Sequence, residues 1–192
     1  MKKRDLRIFV NIPTLETERL MLRKIKNYDL KDIFEYSHDP KVSEFLLWSP
    51  HESEYTTKMY IKTVKKYYRA AKFYDWAIVH KDTGKMIGTC GFTDINIITN
   101  SAEIGYVLNS DFWGQGIACE ALQKVLNFAF EKLELQYVEA KYMINNERSK
   151  RVLEKSNMKY IGKQINAIEA KGKYHTIGIF AISKSDYFSQ KS

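Results

Sequence analysis

The stretch EIGYVLNSDFWGQGIACEAL, residues 103–122, places β-forming residues, two glycines and a helical pattern directly after one another. Its first part is rich in β-branched and aromatic residues, and the apolar positions from Ala118 to Leu133 recur every three or four residues. This pattern predicts a strand followed at once by a helix. Gly114 and Gly116 lie between them, where the first amides of a helix lack partners and carry partial positive charge. Because glycine lets a ligand approach the backbone closely, the turn predicts an anion site.

The turn matches neither of two common phosphate-binding glycine motifs. A P-loop requires GxxxxGK[ST], which the chain does not contain, and a dinucleotide fingerprint requires a third glycine where Cys119 stands. The strands before the turn also read as an antiparallel meander rather than as the start of a βαβ unit. A dinucleotide site and a glycine-rich helix start without a ligand remain the alternatives to another anion site.

The rest of the chain alternates between strand and helix patterns. Strands are predicted at 19–25, 73–80, 86–95, 100–109, 137–144, 158–165 and 174–183, and helices at 27–38, 54–72, 118–133 and 146–156. Asn27 is the expected cap of the first helix, and Asp39-Pro40 is expected to end it. The helix that joins the strands at 103–108 and 137–144 implies that these two run parallel. The prediction is therefore an α+β protein with a mixed, mostly antiparallel sheet and helices on both faces.

Composition excludes several other classes of protein. The 192 residues, 44% of them hydrophobic, suit a single soluble domain spanning 1–192. Two distant cysteines and four scattered histidines offer neither a disulfide framework nor metal-ligand spacing, so no metal is expected. No apolar run is long enough for a membrane span, and we expect a cytoplasmic protein. The net charge of +8 is spread along the chain without a nucleic-acid-binding motif, so an anionic cofactor is the more economical partner.

WGQGIA resembles the pyrophosphate-binding motif Q/R-x-x-G-x-G/A of the GNAT N-acetyltransferases, with Gly116 and Ala118 at the two small positions. Trp113 replaces the usual Gln or Arg, as is common in the branch that resembles the RimJ/RimL ribosomal-protein N-terminal acetyltransferases. TERLMLRKI (17–25), AEIGYVL (102–108) and NERSKRVLEKSNM (146–158) resemble further segments of that branch, in the same order. The resemblance extends from about Thr17 to Phe188, after a short basic lead at 1–16.

The resemblance implies a GNAT fold in which the strands at 103–108 and 137–144 splay apart around acetyl-CoA. The pantetheine would pair with the backbone of Tyr106, Val107 and Leu108, and the amide of Val107 is expected to face the thioester oxygen. The remaining cofactor-binding residues that the resemblance implies are Trp113, Gly114, Gln115, Gly116, Ile117, Ala118 and Asn146. Asn146 is also the expected N-cap of its helix, which is an alternative reason for its presence.

The resemblance also implies a base and an acid. The acceptor amine must be neutral to react, and deprotonation at pH 7 costs about 1 kcal/mol for an α-amine and roughly 4.6 kcal/mol for a lysine. Glu103 is the expected base, acting directly or through a water molecule. Ser149 is the expected acid for the departing thiolate, with Tyr142 and Tyr160 as alternatives.

The expected acceptor is the N-terminal α-amine of a protein, with a ribosomal protein as the first candidate, and the alternative is a small amine such as a polyamine or an aminoglycoside. A non-catalytic acetyl-CoA-binding regulatory module is the alternative from another class. Acceptor choice is assigned to loops at 45–54 and 165–174, in or beside which Glu44, Glu52, Glu54 and Glu169 are expected to attract a cationic amine. The chain is expected to be a monomer or a homodimer.

Overall fold

The computed structural model describes residues 8–72 and 74–190 and contains one sheet with strand order β1-β2-β3-β4-β5-β6-β8-β7. The strands are β1 (Leu15–Glu16), β2 (Leu20–Arg23), β3 (Tyr74–His80), β4 (Met86–Asn96), β5 (Ser101–Leu108), β6 (Tyr137–Met143), β7 (Lys159–Ala170) and β8 (Lys173–Ser183). The helices are α1 (Leu30–His38), α2 (Pro40–Ser43), α3 (Glu54–Arg69), α4 (Ile117–Glu131), α5 (Glu147–Lys155) and α6 (Lys184–Ser189). The predicted range 1–192 and its basic lead include residues outside those described, as does the first residue of the strand predicted at 73–80.

The sheet is mixed, as predicted. Neighbouring strands pair antiparallel except β5 and β6, which the α4 crossover makes parallel. The parallel ladder runs only from Ser101 opposite Tyr137 to Ile104 opposite Ala140, although both strands continue further. The predicted splayed pair is therefore confirmed, and the last part of β5 has one edge that β6 does not cover.

Helices cover both faces of the sheet. The Trp76 ring of β3 packs edge-on against Phe128 of α4, with 5.3 Å between ring centroids. The pKa of the Tyr36 hydroxyl in α1 is raised, first by burial and second by the nearby Asp75 carboxylate. Asp75 therefore faces α1, and α3 packs against α1. Since successive strand residues point to opposite faces, α4 lies on one face and α1 on the other. None of the helices within the described ranges is long and apolar enough to cross a membrane.

Three short elements differ from the sequence prediction. The two-residue β1, the four-residue α2 and the C-terminal α6 were not predicted, because their patterns are too short to show a period. Asp39-Pro40 does end α1, but Pro40 then begins α2, and an Asp39 side-chain oxygen accepts a hydrogen bond from the Lys41 amide at 2.9 Å. Proline fits the first turn of a helix, where its missing N–H is not needed.

Two local predictions were wrong. Asn27 does not cap α1 but begins a 3-10 turn that precedes it. At this turn the Lys26 amide donates a hydrogen bond to the Asp29 carboxylate at 2.7 Å. The segment 165–174 is not a loop either, because β7 continues to Ala170 and β8 begins at Lys173.

Asp29 also forms a buried ion pair with Arg23 of β2. The two guanidinium nitrogens of Arg23 donate to the two Asp29 oxygens at 2.8 and 2.7 Å. Only 8% of the Arg23 side chain and 1% of the Asp29 side chain are exposed. A buried pair of this geometry leaves an uncompensated charge when one partner is removed.

We expect Asp29→Ala to lower the free energy of unfolding by about 3–5 kcal/mol, because the Arg23 charge loses its partner. Urea unfolding followed by circular dichroism measures this. Glu16→Ala is the matched control, since the Glu16–Lys81 pair is exposed and contributes less than about 1 kcal/mol. Equal losses in the two variants would contradict the interpretation.

Candidate active site

A cavity of about 870 Å³ opens where β5 and β6 separate. It lies between the glycine turn before α4, the start of α5 and the segment after α2. The predicted site residues that line it are Glu103, Tyr106, Val107, Leu108, Trp113, Gly114, Gly116, Ile117, Ala118, Asn146 and Ser149, together with the alternative acid Tyr142. Gln115 and Tyr160 are not among the lining residues. The fold thus brings most of the predicted site into one space.

The glycine turn has a left-handed backbone conformation that favours glycine. Gly114 and Gly116 have φ angles of +77° and +79°. No side chain caps α4, and the Gly116 carbonyl accepts the first helical hydrogen bond from Glu120 at 3.0 Å. The first amides of α4 therefore remain available to an anion, with the helix dipole adding to their positive charge.

A residue that sequence analysis did not assign fixes this turn from outside. Arg19 donates to the Gln115 carbonyl at 2.9 Å and to the Glu120 carboxylate at 2.7 Å, and Thr17 donates to the same carboxylate. Burial alone would raise the pKa of Glu120, but the bonds from Thr17 and Arg19 outweigh it and hold the pKa below its ordinary value. The sequence pointed to this contact only through the TERL segment, in which Arg19 directly precedes the buried strand β2.

The open edge of β5 presents backbone groups to the cavity. The Asn109 amide donates to the Ile87 carbonyl of the neighbouring chain segment at 2.7 Å. Since backbone groups alternate in direction along an antiparallel pair, the Val107 amide points towards β4 and the amides of Tyr106 and Leu108 point to the open edge. The Leu108 carbonyl accepts from the Trp113 indole at 2.9 Å. This alternation differs from the expectation that the Val107 amide faces the cofactor.

Ser149 lies one turn into α5 and contacts β5 through a side chain. Its hydroxyl is 2.8 Å from the Tyr106 hydroxyl, and its amide donates to the Asn146 side chain at 3.1 Å. Asn146 is therefore the N-cap of α5, as the alternative interpretation expected. Burial raises the pKa of Tyr106, so its hydroxyl stays protonated and can donate to Ser149.

Glu103, the predicted base, is held by two neighbours. Lys141 of β6 forms an ion pair with Oε2, and the Thr93 hydroxyl donates to Oε1 at 3.1 Å. The hydrogen bond to Glu103 raises the pKa of Lys141, which keeps the lysine charged. Both oxygens of this carboxylate are thus engaged. Within residues 8–72 and 74–190, no cluster of three His, Cys, Asp or Glu side chains is placed to hold a metal ion.

The two alternative acids occupy different environments. Tyr142 lines the cavity and packs so tightly on Gly178 that an added Cβ would lie 2.3 Å from its ring. Burial raises the pKa of Tyr142. Tyr160 on β7 is 49% exposed and packs on Phe180. Of the two, only Tyr142 is placed near the cavity.

Arg148 of α5 closes one side of the cavity. Its guanidinium lies 4.2 Å from the centroid of Trp113 and 3.6 Å from the Glu44 carboxylate after α2. Arg151 and Lys155 line the same cavity and add positive charge beside the start of α4. The four glutamates expected to attract the acceptor, Glu44, Glu52, Glu54 and Glu169, are not among the lining residues.

Comparison with known proteins agrees with this geometry. A family model described as an acetyltransferase (GNAT) domain matches residues 19–159. A relative named uncharacterized N-acetyltransferase p20, from Bacillus licheniformis, is 32% identical over 174 residues, covering 91% of this chain and 98% of p20.

Two solved structures share the fold. RimL, a ribosomal L7/L12 α-N-protein acetyltransferase in complex with coenzyme A, is 22% identical and has a TM-score of 0.76, over 89% of this chain and 98% of that one. Spermidine N-acetyltransferase from Vibrio cholerae, in complex with CoA and spermine, is 19% identical with a TM-score of 0.76, over 90% and 99%. The family model spans most of the chain, which also has the splayed parallel strands and the glycine turn. The chain therefore belongs to the GNAT acetyltransferase family.

Proposed function

We propose that this GNAT N-acetyltransferase transfers acetyl from acetyl-CoA to the N-terminal α-amine of a protein. The observation that carries the proposal is that one cavity joins the open edge of β5, the glycine turn and Ser149. The sequence motifs of the RimJ/RimL-like branch and the shared fold with RimL favour a protein N-terminus as the acceptor.

The cavity suits a long anionic cofactor. The amides at Gly114–Ala118 are assigned to the pyrophosphate, because they begin a helix and all of these residues except Gln115 line the cavity. Arg148, Arg151 and Lys155 add cations for the phosphates, and the open edge of β5 is assigned to the pantetheine amides. An added strand along such an edge is a common way to bind an extended ligand.

Different residues are assigned to stabilise the oxyanion and to protonate the leaving thiolate. We assign the oxyanion donor to the amide of Tyr106 or Leu108 instead of Val107, because these amides face the open edge. One such donor typically contributes about 2.7–4 kcal/mol in acyl transfer. The Ser149 hydroxyl, bonded to Tyr106, is assigned to protonate the thiolate of coenzyme A as it leaves.

A small polyamine is the second candidate acceptor. The shared fold with a spermidine N-acetyltransferase supports it, as do the carboxylates of Asp75 and Glu103 that line the cavity. A binding module without turnover is less favoured, because a hydroxyl pair suited to proton donation lies within the same cavity as the proposed cofactor site.

An acceptor panel tests the proposal. Acetyl-CoA is incubated with peptides that have a free N-terminus, with the same peptides blocked at the N-terminus but carrying a free lysine, with spermidine and with an aminoglycoside. Release of the CoA thiol and the added acetyl mass are measured together. We expect acetylation of free N-termini and not of the blocked peptides. Turnover of spermidine alone would favour the second candidate, and binding of acetyl-CoA without transfer to any amine would favour the module.

A further inference from the structure

Asp75 on β3 is a carboxylate for which neither the fold nor the proposed cofactor site accounts. It lines the cavity, yet its Oδ1 atom is buried and has no hydrogen-bond partner within the described residues. Buried polar atoms are nearly always hydrogen-bonded, so an orphaned carboxylate oxygen beside a cavity indicates a missing donor. An ammonium group is a donor of that kind.

The next two strands of the sheet, β4 and β5, carry glycines level with Asp75, and all three residues line the cavity, with the Thr93 methyl 2.9 Å from where a Cβ at Gly105 would lie. Asp75 pairs with Gly91 on β4 and Gly91 pairs with Gly105 on β5, so the three residues form a row on one face. We call this row the glycine trough. At about 4.8 Å per strand, the Cα atoms of Asp75 and Gly105 lie about 10 Å apart. An added Cβ at Gly91 would lie 2.8 Å from Asp75 Oδ1, so the carboxylate leans over Gly91 towards β5.

The trough ends where the reaction is proposed to occur. Gly105 lies just beyond Ile104, at which the ladder with β6 stops, and directly before the open edge of β5. It lies on the face opposite the Tyr106 side chain, and therefore opposite Ser149. An acceptor in the trough would approach the thioester from one face, while the leaving sulfur would meet Ser149 from the other.

Asp75 and Glu103 differ in whether a carboxylate oxygen is left to receive an ammonium group. Both Glu103 oxygens are engaged, by Lys141 and Thr93. Asp75 has one oxygen without any partner. The inference from these contacts rests on the proposed function. We propose that Asp75, rather than Glu103, binds the ammonium group of the acceptor and accepts its proton before the amine attacks the thioester.

The proposed reaction converts the ammonium group into an amide in three stages: deprotonation, attack and departure of the thiolate. One N–H bond of the ammonium breaks and its proton passes to an Asp75 oxygen; the freed electron pair then forms the C–N bond to the thioester carbon. The C–S bond breaks and sulfur leaves with its electrons. The nitrogen releases a second proton to solvent, the thiolate takes its proton from Ser149, which regains one from solvent, and the proton on Asp75 is released to solvent.

The surroundings of Asp75 suit it to this role at neutral pH. Burial raises its pKa to about 7, against the hydrogen bonds from Thr89 and the Trp76 amide, which lower it. The titratable groups that face it are the hydroxyls of Tyr36, Tyr60 and Tyr68 and the thiol of Cys90. Burial raises the pKa of each, so all four are neutral where Asp75 titrates. A proton acceptor works best with a pKa near the operating pH.

The first test compares Asp75→Asn with the wild type across pH, using a free-N-terminus peptide and spermidine as acceptors. In the proposed complex Asp75 is ionised and the amine is protonated, so the kcat/KM of the wild type should rise through about pH 7, whereas the Asn variant must take up the neutral amine. We expect Asp75→Asn to lack this rise, and the ratio of wild-type to variant kcat/KM to be a hundredfold or more at pH 7. Glu103→Gln is the opposing variant and should keep the rise near pH 7. A ratio that stays within threefold at all pH values would overturn the proposal.

The second test separates a chemical role from a structural one. Since the pKa of Asp75 in the folded protein lies above its ordinary value, its stabilising contribution is present below pH 4 and lost as the pH rises to about 7. Asp75→Asn should therefore unfold at pH 8 at the same temperature as the wild type or higher. Thr89→Val, which removes a bond that favours the charged carboxylate, should move the rise in kcat/KM to higher pH. A rise that does not move would contradict the assignment.

Ammonium binding gives a readout that does not depend on turnover. Calorimetry of spermidine with the CoA-loaded protein should show at least tenfold weaker binding by Asp75→Asn, with the affinity for CoA unchanged. Should the wild type turn over no amine, the proposed function fails, and this comparison still decides whether Asp75 binds ammonium. Equal spermidine affinities in the two proteins would overturn the inference by itself.

Discussion

Replacing Ser149 with alanine is expected to lower kcat about 100-fold, with the KM for acetyl-CoA changed less than threefold. The Ser149 hydroxyl lies 2.8 Å from the Tyr106 hydroxyl, on the cavity side of α5. Proton transfer by a positioned side chain typically contributes 10²–10⁴ to a rate. Cofactor binding should persist, because the Ser149 amide, which the substitution leaves in place, makes the helix-capping bond. Steady-state kinetics over a range of acetyl-CoA concentrations separate the two parameters.

Two tyrosine variants show whether Ser149 is the acid. Tyr106→Phe removes the partner hydroxyl and should lower kcat about tenfold, since Ser149 keeps its own proton but loses its hydrogen-bond partner. Tyr142→Phe should stay within threefold of the wild type. A large loss in Tyr142→Phe together with near-normal activity in Ser149→Ala would transfer the acid role to Tyr142.

Gly116→Glu is expected to raise the Kd for acetyl-CoA at least 100-fold. The new carboxylate would lie at the start of α4, where the pyrophosphate is assigned. Two like charges 4 Å apart at a protein surface repel by about 4 kcal/mol. The fold should persist, since an added Cβ at this position meets only the Arg19 side chain, at 3.6 Å. Isothermal calorimetry with acetyl-CoA measures the change.

Gly84→Glu is the matched control for this substitution. Gly84 also has a positive φ, +66°, with no atom within 4 Å of an added Cβ, and it lies in the turn between β3 and β4. The backbone strain and the added charge are therefore similar, while the distance to the proposed site is not. Kd should be unchanged in the control. A similar loss in both variants, or no loss in Gly116→Glu, would remove the anion site from the account.

The sequence predicted the parts of this fold that depend on strong local patterns. The run of apolar residues from Ala118 to Leu133 predicts α4, and a helical crossover between two strands requires them to be parallel. Gly114 and Gly116 predict an anion-binding turn, because two glycines at the start of a helix let a ligand approach the free backbone amides. The splay came from the family resemblance and not from the residues themselves, because nothing in the strand pattern tells where a ladder stops.

Pairings between distant segments were not predictable. Lys141 engages Glu103 only because the parallel register brings Glu139 opposite Glu103 and extends β6 past it. The orphaned oxygen of Asp75 depends on glycines of two other strands, whose register with β3 the sequence does not reveal. A residue's charge can be read from the sequence, but its partners follow from the fold.

A crystal structure with bound coenzyme A tests whether the cavity between β5 and β6 holds acetyl-CoA against the glycine turn. We expect pantetheine amides paired with the backbone of Tyr106 and Leu108, the pyrophosphate on the amides from Gly114 to Ala118, and the sulfur within reach of the Ser149 hydroxyl. Coenzyme A bound elsewhere, with the glycine turn making no contact to its phosphates, would contradict the proposed site and its chemistry.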